Sequence, residues 1–257
     1  MSRAIVAAAL ASLLLAACVS SGGGRAIDPI AAADANVKLG FDAMGKGDLA
    51  RAKEKFERAE KQDPKNVDAK FGMAELSAHL EKPKDAEKYY RAAMDLNPDR
   101  LEIANAYAVF LCSSGEADRG IAQFERLMNN PLYGRQPAAA SNAGRCLREQ
   151  KRHADSIRFF ETALAKQPDW LDAVVQLADV DIYLGKPDAA LKVVDTYQTM
   201  RNSATALVVG VRAAVAKGDC TIASRYVRKL RSEFANSNET LSLLPQVIGA
   251  CRDKVTL

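Results

Sequence analysis

Five cysteines, at positions 18, 112, 146, 220 and 251, are the side chains of this 257-residue chain with the most chemistry to offer. A thiol can carry an acyl group, close a disulfide, ligate a metal or shuttle electrons. No two of the five stand in a C-x-x-C spacing, which removes the usual dithiol redox centre. His79 and His153 each lack a second histidine or a cysteine at ligand spacing, so no metal centre is expected. No G-x-x-x-x-G-K-[ST] run occurs, and Gly22-Gly23-Gly24 is a linker rather than a phosphate cradle. Asp179 and Asp181 stand two apart on a helix, where neighbours at that spacing do not share a face. They are expected to be solvated or groove-lining charges. The stretch Lys46 to Lys61 interleaves Asp and Glu with its lysines, which suits an exposed helix with i,i+4 pairs better than a nucleic-acid patch. The formal net charge is +4, and 48% of the residues are hydrophobic but only 6% aromatic. That balance excludes a disordered chain, and its largely aliphatic, Ala-rich character favours helices. A binding scaffold is expected, not an enzyme, with no cofactor, no small-molecule substrate and no nucleic-acid partner.

The first cysteine has its own context. Arg3 is followed by an apolar run from Ala4 to Leu15, broken only by Ser12, too short to span a bilayer as a helix. The run ends in Leu15-Ala16-Ala17-Cys18, which resembles the lipobox of bacterial lipoproteins. The resemblance implies that residues 1–17 are a signal peptide and that Cys18 becomes an acylated first residue. Val19 follows where an Asp would favour inner-membrane retention, so the implied address is the outer membrane, lipid-anchored and facing the periplasm. Residues 18–32, with Ser20 to Gly24 at their head, then serve as a lipidated tether.

The elements that must position the other four cysteines emerge from a repeat. Leu39-Gly40, Ala52, Phe56, Ala59 and Pro64 recur 34 residues later as Met73-Ala74, Ala86, Tyr90, Ala93 and Pro98. The pattern resembles the tetratricopeptide repeat, two antiparallel helices per 34 residues. Extended along the chain it gives six repeats, 33–66, 67–100, 101–136, 137–170, 171–203 and 204–237, with residues 238–257 as a capping helix. Position 8 holds Gly40, Ala74, Ala108, Gly144, Ala178 and Val211, and position 20 holds Ala52, Ala86, Gly120, Ser156, Ala190 and Ala223. Small groups there let the two helices of a repeat approach. Position 24 holds Phe56, Tyr90, Phe124, Phe160, Val194 and Val227, bulky groups that fill the space between neighbouring repeats. Pro64, Pro98 and Pro168 stop second helices, Pro83 and Pro187 begin them, and Gly47, Gly115, Gly185 and Gly218 mark the turns within repeats. The expected fold is all-α, a right-handed superhelical solenoid of tetratricopeptide repeats.

That frame selects among cysteine pairings. Cys112 and Cys146 fall late in the first helices of adjacent repeats, and Cys220, just past the sixth turn, faces the same end as Cys251 in the cap. Cross pairings would span several repeats and exceed the Cα–Cα reach of about 7 Å. Cys112–Cys146 and Cys220–Cys251 are therefore expected. The same frame assigns a partner-binding groove to the first helices: Val37, Phe41 and Met44 in repeat 1, Phe71, Glu75 and His79 in repeat 2, Asn105 and Val109 in repeat 3, and Ser141, Asn142, Arg145 and Arg148 in repeat 4. Asp172 and Asp179 continue it in repeat 5, so the groove grades from apolar to charged. Phe41, Met44 and Phe71 together suit an amphipathic partner segment.

One block narrows the resemblance. Phe110-Leu111-Cys112 leads through Gly115 and Phe124-Glu125 to Asn130-Pro131-Leu132-Tyr133 and then Asn142-Ala143-Gly144-Arg145-Cys146. The two-residue insertion of repeat 3 falls beside Asn-Pro-Leu-Tyr. With the lipobox, tether and six repeats, the chain resembles the PilF/PilW family of type IV pilus biogenesis and stability lipoproteins. The resemblance implies a pilotin, which binds subunits of the pilus secretin and promotes their outer-membrane localisation and multimerisation, and so supports twitching motility. The other reading of the same fold and address is a periplasmic lipoprotein adaptor that scaffolds peptidoglycan enzymes or another secretion machine.

Overall fold

The computed structural model of the protein describes residues 28–197, 203–243 and Cys251. The expected signal peptide, Cys18 and most of the expected tether lie outside the described residues, as does most of the expected cap. Among the described residues every regular element is helical. Two compact units divide at Leu96–Asn97. The first holds α1 (Pro29–Gly45), α2 (Leu49–Gln62), α3 (Val67–His79) and α4 (Pro83–Leu96). The second holds α5 (Leu101–Ser113), α6 (Ala117–Asn129), α7 (Gln136–Glu149), α8 (His153–Lys166), α9 (Leu171–Tyr183), α10 (Pro187–Thr196), α11 (Ala204–Lys217) and α12 (Cys220–Glu233). A π-helical turn, Glu239–Leu243, follows and packs on α11. Within each unit a first helix packs on its own second helix and on the next first helix, as α1 does on α2 and α3. This is an all-α tetratricopeptide-repeat fold.

The burial pattern explains the arrangement. A second helix such as α2 buries one stripe, Ala52, Phe56 and Ala59, and offers charge elsewhere. A first helix is enclosed on more sides, and α11 buries Leu207, Val208, Val209, Val211, Ala213 and Ala214. Second helices α2, α4 and α8 end at Gln62, Leu96 and Lys166, two residues ahead of Pro64, Pro98 and Pro168.

All six turns within repeats share one geometry. The fifteenth residue is left-handed in each: Gly47, Glu81, Gly115, Lys151, Gly185 and Gly218, with φ between 54° and 85°. The hydrogen bonds are those of a Schellman cap; in repeat 1, Gly47 N–H donates to Met44 C=O at 2.9 Å and Asp48 N–H to Ala43 C=O at 2.9 Å. Glu81 and Lys151 reproduce the same pair of bonds without a glycine, Lys82 N–H reaching Ser77 C=O and Arg152 N–H reaching Leu147 C=O. The left-handed conformation costs a residue with a Cβ about 1–2 kcal/mol, partly offset by the extra unfolded-state freedom of glycine. Glu81→Gly and Lys151→Gly are thus expected each to stabilise the protein by about 0.5–1 kcal/mol, read as a higher urea midpoint; a lower midpoint for either would contradict the turn geometry.

Between the helices, rings sit on glycines. A Cβ built on Gly40 would lie 2.5 Å from the Phe56 ring, and one built on Gly144 would lie 2.5 Å from the Phe160 ring. The sixth repeat shifts by one residue: the ring is Tyr226, against Gly210, where Val227 against Val211 was expected. Tyr226 gains a polar anchor from the shift, because its hydroxyl donates to Asp195 Oδ1 at 2.8 Å. Burial, with the Asp195 carboxylate, pushes that hydroxyl up to about 12.

The insertion after α6 forms a turn. Asn130 C=O accepts from Tyr133 N–H at 3.1 Å, and Asn130 Oδ1 accepts from Leu132 N–H at 2.9 Å. Pro131 sits where a fixed φ suits the turn. The result buries Tyr133 in the core of the second unit and leaves Leu132 85% exposed.

Candidate functional site

Two bridges hold the second unit. Cys112 on α5 is bonded to Cys146 on α7 with Cα atoms 5.6 Å apart. Cys220, the first residue of α12, is bonded to Cys251 with Cα atoms 5.5 Å apart. Gly120 is small for a reason the first bridge supplies: a Cβ there would lie 2.6 Å from Cys112 Sγ. Cys18 lies outside the described residues.

The first helices of the first unit carry an aromatic face. Phe41 on α1 and Phe71 on α3 are both half-buried, with ring centroids 6.0 Å apart. Each leans on a buried ring from a second helix. Phe41 meets Phe56 edge-on at 5.0 Å and Phe71 meets Tyr90 at 6.2 Å. Met44 is half-buried beside Ala43, Ala52 and Phe56. Glu75, also half-buried, accepts a hydrogen bond from the Tyr90 hydroxyl. Burial and the Glu75 charge raise that hydroxyl well above its ordinary range. Two groove assignments are corrected here. Val37 is only 6% exposed, packed with Ala33, Ala59 and Ala69. Three alanines leave a hollow that the valine fills, so it belongs to the core. Ser141 on α7 is also buried, beneath the groove positions of its helix.

The corresponding face of the second unit is a polar ladder. Asn142 Nδ2 on α7 donates to Asn105 Oδ1 on α5 at 3.1 Å, and Arg145 donates to Asn142 Oδ1. Arg145 also lies 3.8 Å from Asp172 of α9. Arg148 donates to Gln176, and Arg212 of α11 donates to Asp179 Oδ1 at 2.6 Å. Burial pushes the Asp179 carboxyl above the usual carboxylate range, against the pull of Arg212 and Arg148. Val109 stands 45% exposed on α5. Gln176 and Arg212 are ladder members that the sequence had not singled out; their places in successive first helices are the signal that would have found them. A cleft of about 290 Å³ opens beside Arg145, Arg148 and His153, and the His153 ring packs on Tyr183 with centroids 3.9 Å apart. Asp181 departs from its expected place: it is 6% exposed, buried rather than solvated. Its position on α9 faces the second helix of the repeat.

The residues these faces offer are rings, amides and paired charges. Comparison with known proteins agrees with the fold. A tetratricopeptide-repeat family model matches residues 37–100 and 111–169. The chain is 25% identical over 242 residues to the type IV pilus assembly protein PilF of Pseudomonas aeruginosa, covering 91% of this chain and 96% of that one. The crystal structure of PilW, described as a widely conserved type IV pilus biogenesis factor, superposes with a TM-score of 0.62 at 28% identity, over 82% of this chain and 98% of PilW. The structure of Pseudomonas aeruginosa PilF superposes with a TM-score of 0.60 at 23% identity, over 84% of this chain and 97% of PilF.

Proposed function

We propose, from the premise that this chain is a tetratricopeptide-repeat protein similar in sequence and fold to PilF and PilW, that it serves type IV pilus biogenesis by holding protein partners, without catalysis. The finer reading is a pilotin. Acyl chains on Cys18 anchor the protein in the outer membrane, each buried methylene contributing about 0.8 kcal/mol. The folded repeats then capture subunits of the pilus secretin in the periplasm. Anchoring confines captured subunits to the bilayer surface and so favours their multimerisation.

The observation that carries the reading is the Phe41–Phe71 face. Two rings remain partly exposed on adjacent first helices although buried rings lie directly behind them. Aromatic anchors of this kind dominate binding when an apolar partner segment covers them. Phe41→Ala and Phe71→Ala are each expected to weaken secretin-subunit binding by about thirtyfold, the loss of a ~2 kcal/mol anchor. Secretin multimers on immunoblots and twitching should fall together, with circular dichroism showing a folded protein. Wild-type multimers and motility in the double variant would refute the secretin reading. Recovery of peptidoglycan hydrolases without secretin in a pull-down would instead favour the adaptor reading. Radiolabelled palmitate incorporation that disappears in Cys18→Ala tests the anchor.

A further inference from the structure

The fifth repeat breaks a rule that the other five keep. At the eleventh position of the repeat they hold the uncharged Ala43, Ser77, Leu111, Leu147 and Ala214, all buried. The fifth holds Asp181, just as buried at 6% exposure. Among the described residues no side chain donates a hydrogen bond or forms an ion pair to it. Burial pushes its carboxyl above the ordinary range, with Lys186 opposing and Glu161 reinforcing the shift.

Asp181 does not face a closed core. It lines a cleft of about 460 Å³ between α8, α9 and α10. α10 has ten residues, where the other second helices have 13 or 14, and its last residue, Thr196, also lines the cleft. Ile157, Leu177 and Val193 give it apolar walls, and Tyr197 closes the end where α10 stops. A carboxylate that reaches solvent only through an aliphatic-walled cleft, with no hydrogen bond or ion pair of its own, matches one kind of side chain, a cationic head on a methylene stem. An acidic side chain would meet Asp181 and Glu161. An apolar one would cover the carboxylate and leave it unpaired. Lys186 and Lys192 also line the cleft and disfavour a polybasic segment.

We propose that this cleft in the fifth repeat is a second protein-binding site, which takes a single arginine or lysine side chain of a partner segment with Asp181 as its counter-ion. The basic residue of that segment is flanked by neutral or acidic residues. The site lies on the second-helix side of the repeat and does not depend on the pilus reading or on the aromatic face.

The test is a titration of the purified full chain, labelled at Ile, Leu and Val methyls, with Nα-acetyl-arginine amide. Nα-acetyl-citrulline amide, its neutral isostere, is the control. Saturable shifts at Ile157, Leu177 and Val193 are expected with arginine at millimolar concentration, of order 1 mM. Citrulline should bind at least tenfold more weakly. Asp181→Asn should lose the arginine response while leaving methyl signals of the first unit unmoved. Asp181→Leu, which places there the leucine that the third and fourth repeats hold, should lose it too without a lower melting temperature. Equal responses to arginine and citrulline in the wild type would overturn the proposal, whatever the variants do. So would an arginine response that survives Asp181→Asn.

Discussion

Phe56→Ala is expected to cost the first unit about 3–5 kcal/mol, a large share of the 5–15 kcal/mol that holds a typical domain. The ring is fully buried, and it is gripped from two helices. A Cβ on Gly40 would stand 2.5 Å from it and a Cβ on Gly72 would stand 2.3 Å from it. The two glycines belong to the first helices of adjacent hairpins, α1 and α3, so one ring keys a second helix into both. Truncation would leave a cavity that two helical backbones must collapse to fill. The same geometry reverses a familiar sign. Gly→Ala in a helix interior normally stabilises by about 1 kcal/mol. Gly72→Ala should instead destabilise by about 1–3 kcal/mol, because the trapped ring has no free side to move towards. Urea unfolding followed by circular dichroism reads both effects. Phe56→Leu combined with Gly72→Ala should be less destabilised than the sum of the single changes. If Gly72→Ala raised the urea midpoint, the ring-on-glycine account would be wrong.

Removing the Cys112–Cys146 bridge by a double alanine substitution is expected to cost about 3–4 kcal/mol, the loop-closure value for a separation of 34 residues. For a unit of this size that is a fall in melting temperature of roughly 10 °C. Trp170, the single tryptophan, lies in the second unit and reports its unfolding by fluorescence. Reduction of the wild-type protein should produce a similar shift, enlarged by loss of Cys220–Cys251. The bridge also explains a neighbour. Gly120→Ala, whose new methyl would press on Cys112 Sγ, should be tolerated better in the bridge-free background than in the wild type. A melting temperature unchanged by reduction would refute a stabilising role for the bridges.

The sequence by itself determined what repeats. A 34-residue period, small residues facing bulky ones, and prolines two residues beyond the second helices together dictate helical hairpins, because each signal is contained within a single repeat or recurs from one repeat to the next. It also made Phe41, Met44 and Phe71 legible as an apolar cluster, since the period assigns all three to the groove-facing side of neighbouring first helices. What only the tertiary structure decided lies where one repeat differs from the pattern. Val37 holds a groove position by number, yet three surrounding alanines draw it into the core. Glu81 and Lys151 adopt the left-handed turn without glycine because the hydrogen bonds of the cap and the packing of both helices outweigh the local strain. Tyr226 takes the ring position one residue early because Gly210 leaves space there and Asp195 accepts its hydroxyl. Asp181, read from its spacing as a solvated or groove-lining charge, is turned inward by the face of α9 on which it falls, and lines a cleft between α8, α9 and α10. Periodicity assigns a face to each position. The volumes of the side chains across from it, and the lengths of the elements that carry them, decide whether that face is filled.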